Sequence, residues 1–182
     1  MNGVDRWLQR KRIAQALRWI PSDANVLDVG CSDGALFRQA SSLIKSGIGI
    51  DTEEPLSWPT GPYTFRHGTF PEVLDDHDTF DIVVMLAVIE HVSDEVRTTW
   101  ATRVSTLLRR GGRLIITVPA PAVDRILDVG IRFRLLHGMD TANHHGFDPQ
   151  VVPHEFSIPP MRLLKASRFE FGLNHLFVFE RT

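Results

Sequence analysis

The sequence predicts a doubly wound α/β fold on a mostly parallel sheet, and three observations predict it. Short apolar runs alternate with stretches of helical periodicity along residues 4–118. The run FDIVVML at 80–86 is apolar through its centre, as a strand covered on both faces must be. Two early strands end in an acid beside glycine, at Asp28 and Asp51, and ligands bind beyond such carboxyl ends in open α/β sheets.

The bulk numbers bound the answer. With 182 residues, 43% of them hydrophobic, the chain can bury one full core, so a single domain over 1–182 is expected. Charged residues make up 23% and the net charge is −2, which argues against a nucleic-acid partner. One cysteine rules out an internal disulfide and suits a reducing cytoplasm. The longest apolar run, 82–89, falls far short of the roughly 20 residues of a membrane helix. A soluble, cytoplasmic protein with no membrane partner is the expectation.

Residues 4–20 read as a helix, with Trp7, Leu8, Leu17 and Ile20 near helical spacing. Its basic side chains, Arg6, Arg10, Lys11, Arg12 and Arg18 against Asp5, read first as a solvated face. The same helix could also cover a ligand as a lid or attract an acidic substrate. Pro21-Ser22-Asp23 ends it, and 25–29 is a short buried strand. Residues 35–45 follow as a helix, with Leu36, Phe37, Ala40, Leu43 and Ile44 on one side and Gly47 as its stop. A second strand ends at Gly49-Ile50-Asp51, and 52–62 is loop. Strands at 63–67 and 80–86 flank a short helix. Ser93 can cap the next helix, with Asp94 and Glu95 favourable in its first turn. That helix runs to Arg109-Arg110, Gly111-Gly112 stops it, and 113–118 is a fifth strand. The last third reads as a helix at 122–136, a long loop or cap at 138–160, and a terminal hairpin of 168–172 and 175–181.

Chemistry concentrates at VLDVGCSDGALF, residues 26–37. Gly30-Cys31-Ser32-Asp33-Gly34 matches G-x-S-x-G, the turn that presents a nucleophilic serine. Residues 1–24, before that strand, read mostly as a helix, so an earlier strand–helix loop that could supply an oxyanion hole is not expected. A dinucleotide turn would want G-x-G-x-x-G, and Ser32 stands at the second glycine. A third reading fits better. Asp28 and Asp51 form an anionic rim at the strand ends, and a carboxylate there can accept both hydroxyls of a ribose. Such a rim suits a cofactor with cationic groups rather than phosphates.

At this point the sequence resembles a family. VLDVGCSDG, GIGIDTEE, FDIVVMLAVIEHV and LLRRGGRLIITVP, followed by FEFGLNHLFVFER, are similar in kind and order to motifs of the class I S-adenosylmethionine-dependent methyltransferases. The resemblance implies a Rossmann-like seven-stranded sheet of order 3-2-1-4-5-7-6 with the seventh strand antiparallel. It implies S-adenosylmethionine as cofactor. Asp28, Gly30 and Gly34 would then line its methionine end, with Cys31 and Ser32 beside it through their backbone. Asp51 would hold the ribose hydroxyls, with Thr52 adjacent. Thr69 and Phe70 would flank the adenine, and the Leu86 carbonyl region would face the ammonium. Two positions depart from the family pattern. Ser32 replaces the middle glycine of D/E-x-G-x-G-x-G, and HGTF ends the third strand where many members carry an aspartate.

An oxygen acceptor needs a base near neutral pH, and His91, after the fourth strand, is the first candidate. Alternatively Glu90 and His91 only brace the turn. His137, Asp140, His144, His145 and Asp148 could hold a metal, but their spacing matches no standard zinc pattern, so no metal is expected. His144 and His145, with Glu90, are candidate substrate contacts from a substrate-side insertion at 119–160, while residues 1–20 form an N-terminal helix or lid. The place where enzymes that methylate nucleic-acid amines carry D/N-P-P-Y/F reads LAVIEHV, which points to a small-molecule acceptor and an oxygen. A cofactor-binding protein without turnover, or a partner subunit, is the alternative in another class.

Overall fold

The computed structural model of the chain describes residues 3–53, 57–120 and 147–182. Its elements are α1 (Gly3–Leu17), β1 (Ala24–Val29), α2 (Ala35–Gln39), β2 (Ile44–Asp51), β3 (Tyr63–His67) and β4 (Phe80–Leu86), then α3 (Asp94–Leu107), β5 (Leu108–Pro119), α4 (Val152–Phe156), β6 (Met161–Phe169) and β7 (Asn174–Arg181). The strands form one seven-stranded sheet in the order β3-β2-β1-β4-β5-β7-β6. The β1–β2, β1–β4, β2–β3 and β4–β5 pairs are parallel, and β7 runs antiparallel to both β5 and β6. The expected order and the reversed last strand are both present.

Strand periodicity divides the core between two faces. Ile82, Val84, Ile115, Leu176 and Val178 pack with Ile13 and Ala16 of α1 and Leu36 and Phe37 of α2. Their neighbours Val83, Met85, Leu114, Ile116, Phe177 and Phe179 pack on the other face with Trp100 and Val104 of α3 and Val152 and Phe156 of α4. Each central strand thus needs apolar side chains at successive positions, which is why 80–86 carries no alternation.

Several boundaries differ from the sequence reading. The helix expected at 35–45 stops at Gln39, because the Leu43 carbonyl accepts from Ala24 N at 3.2 Å and draws the segment into register with β1. Ile44 already belongs to β2. Gly47 therefore lies inside a strand, where a Cβ would meet Phe37 Cε1 at 2.5 Å and the Val26 carbonyl at 2.8 Å. It makes room for Phe37 and ends no helix. The short helix between β3 and β4 is a run of turns.

Ser93 caps α3, its hydroxyl accepting from Val96 N at 3.5 Å. The helix ends at Leu107, short of Arg109-Arg110. Leu108 is fully buried and pairs with Phe80, while Ile82 pairs with Arg113, so Arg109–Gly112 bulge out of β5. An ion pair of 2.9 Å from Arg109 to Asp81 and a left-handed Gly111 (φ 79°) hold the bulge. Within the expected loop at 138–160, Pro149–Val151 and α4 are helical, started by Asp148, whose carboxylate accepts from Gln150 N at 2.9 Å. The hairpin begins earlier than expected, at Met161, and turns at Glu170–Gly172. Its first strand is an edge strand with mostly exposed side chains, so its sequence lacks an apolar stripe. The expected helix at 122–136 lies outside the described residues.

Candidate active site

The carboxyl ends of β1, β2 and β4 diverge at the switch point of the sheet, and a cavity of about 770 Å³ opens there. That volume lies in the range of small-molecule sites.

The loop after β1 forms one side. Gly30 (φ 74°) turns the chain, and the amides of Gly30 and Cys31 both donate to the Ile50 carbonyl, at 2.8 and 3.0 Å. A Cβ at Gly30 would strike Val88 Cγ2 at 2.5 Å. Ser32 is left-handed (φ 47°), and its amide donates to Asp51 Oδ2 at 2.7 Å. Asp51 Oδ1 accepts from Glu53 N at 2.9 Å. One backbone donor per oxygen fixes the carboxylate plane and leaves lone pairs for a ligand. Gly34 (φ 71°) precedes α2 and packs on Pro59 and Phe65.

The loop after β4 forms a second side. Ala87 is left-handed (φ 58°) with its amide on the Thr117 carbonyl at 2.8 Å. A single 3-10 turn follows, Ile89–His91. Within it Glu90 is buried and His91 exposed, and both line the cavity.

The third side is α1, anticipated in the sequence only as a lid and without its individual contacts. Asp5, Leu8, Gln9 and Arg12 line the cavity from α1. Their three- and four-residue spacing marks one helix face and was the available signal. Gln9 Nε2 donates to Asp33 Oδ1 at 3.2 Å, and Arg12 Nε to Asn174 Oδ1 at 3.0 Å. Asn174, fully buried, donates in turn to Glu170 Oε2 at 2.6 Å. Burial pulls the Arg12 pKa down, while the charges of Glu90, Glu170 and Asp5 oppose that shift. Burial likewise raises Glu170, with Arg12 and Asn174 opposing. Arg12 is therefore turned inward, whereas Arg6, Arg10, Lys11 and Arg18 are exposed as the solvated-face reading expects.

Of the candidate cofactor contacts, Gly30, Ser32, Asp51, Thr52, Thr69, Phe70 and Leu86 line the cavity. Asp28, Cys31 and Gly34 are buried and are not among the lining residues. Burial raises Asp28 well above the usual carboxylate range, with the charges of Asp51 and Asp33 adding to it. The Cys31 thiol is pushed far up by burial and then by Asp28 and Asp51, so it stays protonated. Glu53, Ala87, Val88 and Trp100 join the lining unanticipated, and Pro119 opens the segment expected on the substrate side. His137, Asp140, His144 and His145 lie outside the described residues.

The chain is similar to known proteins in sequence and in fold. A ubiquinone biosynthesis O-methyltransferase of Rhizobium rhizogenes is 28% identical over 143 residues, covering 74% of this chain and 56% of that protein. Its counterpart in Azorhizobium caulinodans is 28% identical over 98 residues, 50% of this chain and 35% of that one. The chain thus spans at most about half the length of these curated relatives. In fold it is similar to the N-methyltransferase NodS of Bradyrhizobium japonicum, with a TM-score of 0.69 at 16% identity over 97% and 98% of the two chains. It is also similar to the 1,6-didemethyltoxoflavin-N1-methyltransferase of Burkholderia thailandensis, with a TM-score of 0.73 at 18% identity over 99% and 82%. That structure holds S-adenosylhomocysteine. A family described as a methyltransferase domain matches residues 5–155, and the chain belongs to it.

Proposed function

We propose that this chain transfers a methyl group from S-adenosylmethionine to an oxygen of a small-molecule acceptor. The observation that carries the reading is the cavity at the switch point, with the fixed Asp51 carboxylate on its rim. The lining fits the cofactor. Val29, Ile50 and Phe70 offer an apolar wall for a flat base. Asp51 can take two hydroxyl donors of a ribose. Asp5, Asp51, Glu53 and Glu90 suit a sulfonium and an ammonium better than a phosphate.

When bound, the cofactor supplies an electrophilic methyl group on a cationic sulfur. The chain's contribution is alignment, exclusion of water and proton handling. The Gly30–Ser32 backbone, Thr52, Thr69 and Leu86 orient the ligand within the cavity, while Asp28, Cys31 and Gly34 are buried within and beside that loop. His91 takes the proton leaving the acceptor hydroxyl onto its imidazole, and its exposure lets that proton pass to water. Residues 1–20 cover the cavity, and 119–160 form the acceptor side, with His144, His145 and Glu90 as its polar contacts. The names of the R. rhizogenes and A. caulinodans relatives support an oxygen as the atom methylated.

Calorimetry with S-adenosylmethionine and S-adenosylhomocysteine tests the cofactor half, and absence of binding by both would overturn it. Transfer of labelled methyl groups into a panel of small hydroxylated acceptors tests the rest. His91→Gln should then lower turnover roughly 10²-fold or more with cofactor affinity unchanged. Full turnover in that variant removes His91 as the base.

A further inference from the structure

Ser32 holds a backbone conformation that L residues adopt rarely (φ 47°), and it does so on the rim of the cavity. Both of its backbone polar atoms are gripped by side chains from elsewhere. Its amide donates to Asp51, and its carbonyl accepts from the Trp58 indole Nε1 at 2.9 Å. Trp58 is itself anchored. Its ring stacks on Phe65, with centroids 4.8 Å apart and planes 8° apart. Phe65 meets the fully buried Phe37 edge-on at 5.5 Å. The adjacent Pro59 fills the space over Gly34, where a Cβ would come within 2.6 Å of its Cδ. A continuous series of rings thus connects the core below α2 to one carbonyl of the loop after β1.

We infer that Trp58 is a positioning residue for the cofactor loop. It does not line the cavity; it holds Ser32 in the left-handed conformation from outside and thereby presents the Gly30–Ser32 backbone to the ligand. The alternative role, a cover for Phe65, would need the ring but not the indole N–H. The inference rests on the cofactor reading above for its effect on binding, and on the loop alone for its effect on backbone order.

Trp58→Phe keeps a stacking ring and removes the donor. Replacement of Trp58 by its benzothienyl analogue keeps the bicyclic shape and exchanges only N–H for sulfur, so one of the two reports even if the first unfolds. Two measurements are made on each. Amide hydrogen exchange over residues 30–34, without ligand, should quicken at least threefold relative to β1; unchanged exchange overturns the strap. Calorimetry with S-adenosylhomocysteine should show about two- to tenfold weaker binding, the loss of one hydrogen bond. In a Ser32→Gly background, where the left-handed conformation is unstrained, the same replacement should cost less than half as much on a logarithmic scale. Equal losses in both backgrounds, or none in either, overturn the positioning role. If the unaltered protein does not bind S-adenosylhomocysteine, the cofactor reading fails, and the exchange result still decides the strap.

Discussion

The Asp51 carboxylate and the Ser32 amide meet at 2.7 Å, so the group on the cavity rim is also the clamp that joins the loops after β1 and β2. Asp51→Ala removes both roles. Affinity for S-adenosylhomocysteine should fall at least 10- to 100-fold, as expected for a lost charge-assisted contact. The melting temperature should fall too, because the amides of Ser32 and Glu53 lose their acceptor. Asp51→Asn retains one acceptor oxygen and should lose affinity with a smaller drop in melting temperature. Calorimetry and thermal unfolding of the two variants separate ligand contact from clamp.

Gly30 is required twice, by its φ of 74° and by Val88, 2.5 Å from where a Cβ would sit. Gly30→Ala should destabilise the fold by about 1–3 kcal/mol. Adding Val88→Ala should relieve the clash and leave the backbone strain. Urea unfolding reads both, and a Gly30→Ala variant as stable as the parent would contradict the geometry.

Asp28 gives the fold a pH dependence of unusual sign. Burial first, then Asp51 and Asp33, raise its folded pKa well above the usual carboxylate range. The unfolded chain ionises near the ordinary value of about 3.9. A folded state that prefers the protonated acid is stabilised fully below that ordinary value. The stabilisation is lost as pH rises through the raised folded value. Asp28→Asn keeps the shape without the charge. It should flatten the decline of stability between mildly acidic and neutral pH and leave the variant the more stable at neutral pH. Denaturant curves at several pH values test this, and parallel curves for the two proteins would refute it.

Arg97 is 5% exposed, with Nε and Nη2 on the two oxygens of Glu155, at 2.8 and 3.1 Å, and Nη1 on the Val92 carbonyl at 2.8 Å. It joins α3 to α4 beneath the loop that carries His91. Glu155→Ala takes two hydrogen bonds from a buried guanidinium, which keeps Asp94 and the Val92 carbonyl, and should cost about 1.5–3 kcal/mol. Asp94→Ala removes a partner whose side chain is 85% exposed and should cost under about 1 kcal/mol. Chemical unfolding of both variants checks the ratio.

The strand scaffold was legible because central strands state their burial in every residue. VLDV and FDIVVML leave few alternatives to a sheet covered on both faces. The edge strand β6 hides, because its solvent-facing residues carry no pattern. The end of α3 was misplaced because Arg-Arg-Gly-Gly serves equally as a helix stop and as a bulge inside β5. At the site, the glycines and acids after β1 and β2 announced themselves through backbone demands that few residues meet. Arg12 did not, since an inward guanidinium looks like its exposed neighbours until Asn174, 162 positions away, supplies a partner. Trp58 was silent for the same reason: its function lies in a carbonyl 26 residues upstream.

The carboxylates around the cavity, Asp5, Asp51, Glu53 and Glu90, also act at a distance. A field of that sign draws a cation inward and does nothing for the same molecule once its charge is gone. Under the proposed chemistry the arriving ligand carries a sulfonium and the departing one a neutral thioether. The mouth of the cavity therefore distinguishes fresh ligand from spent by charge alone. Product inhibition should weaken relative to cofactor binding as salt is lowered, because only the charged species gains from the unscreened field.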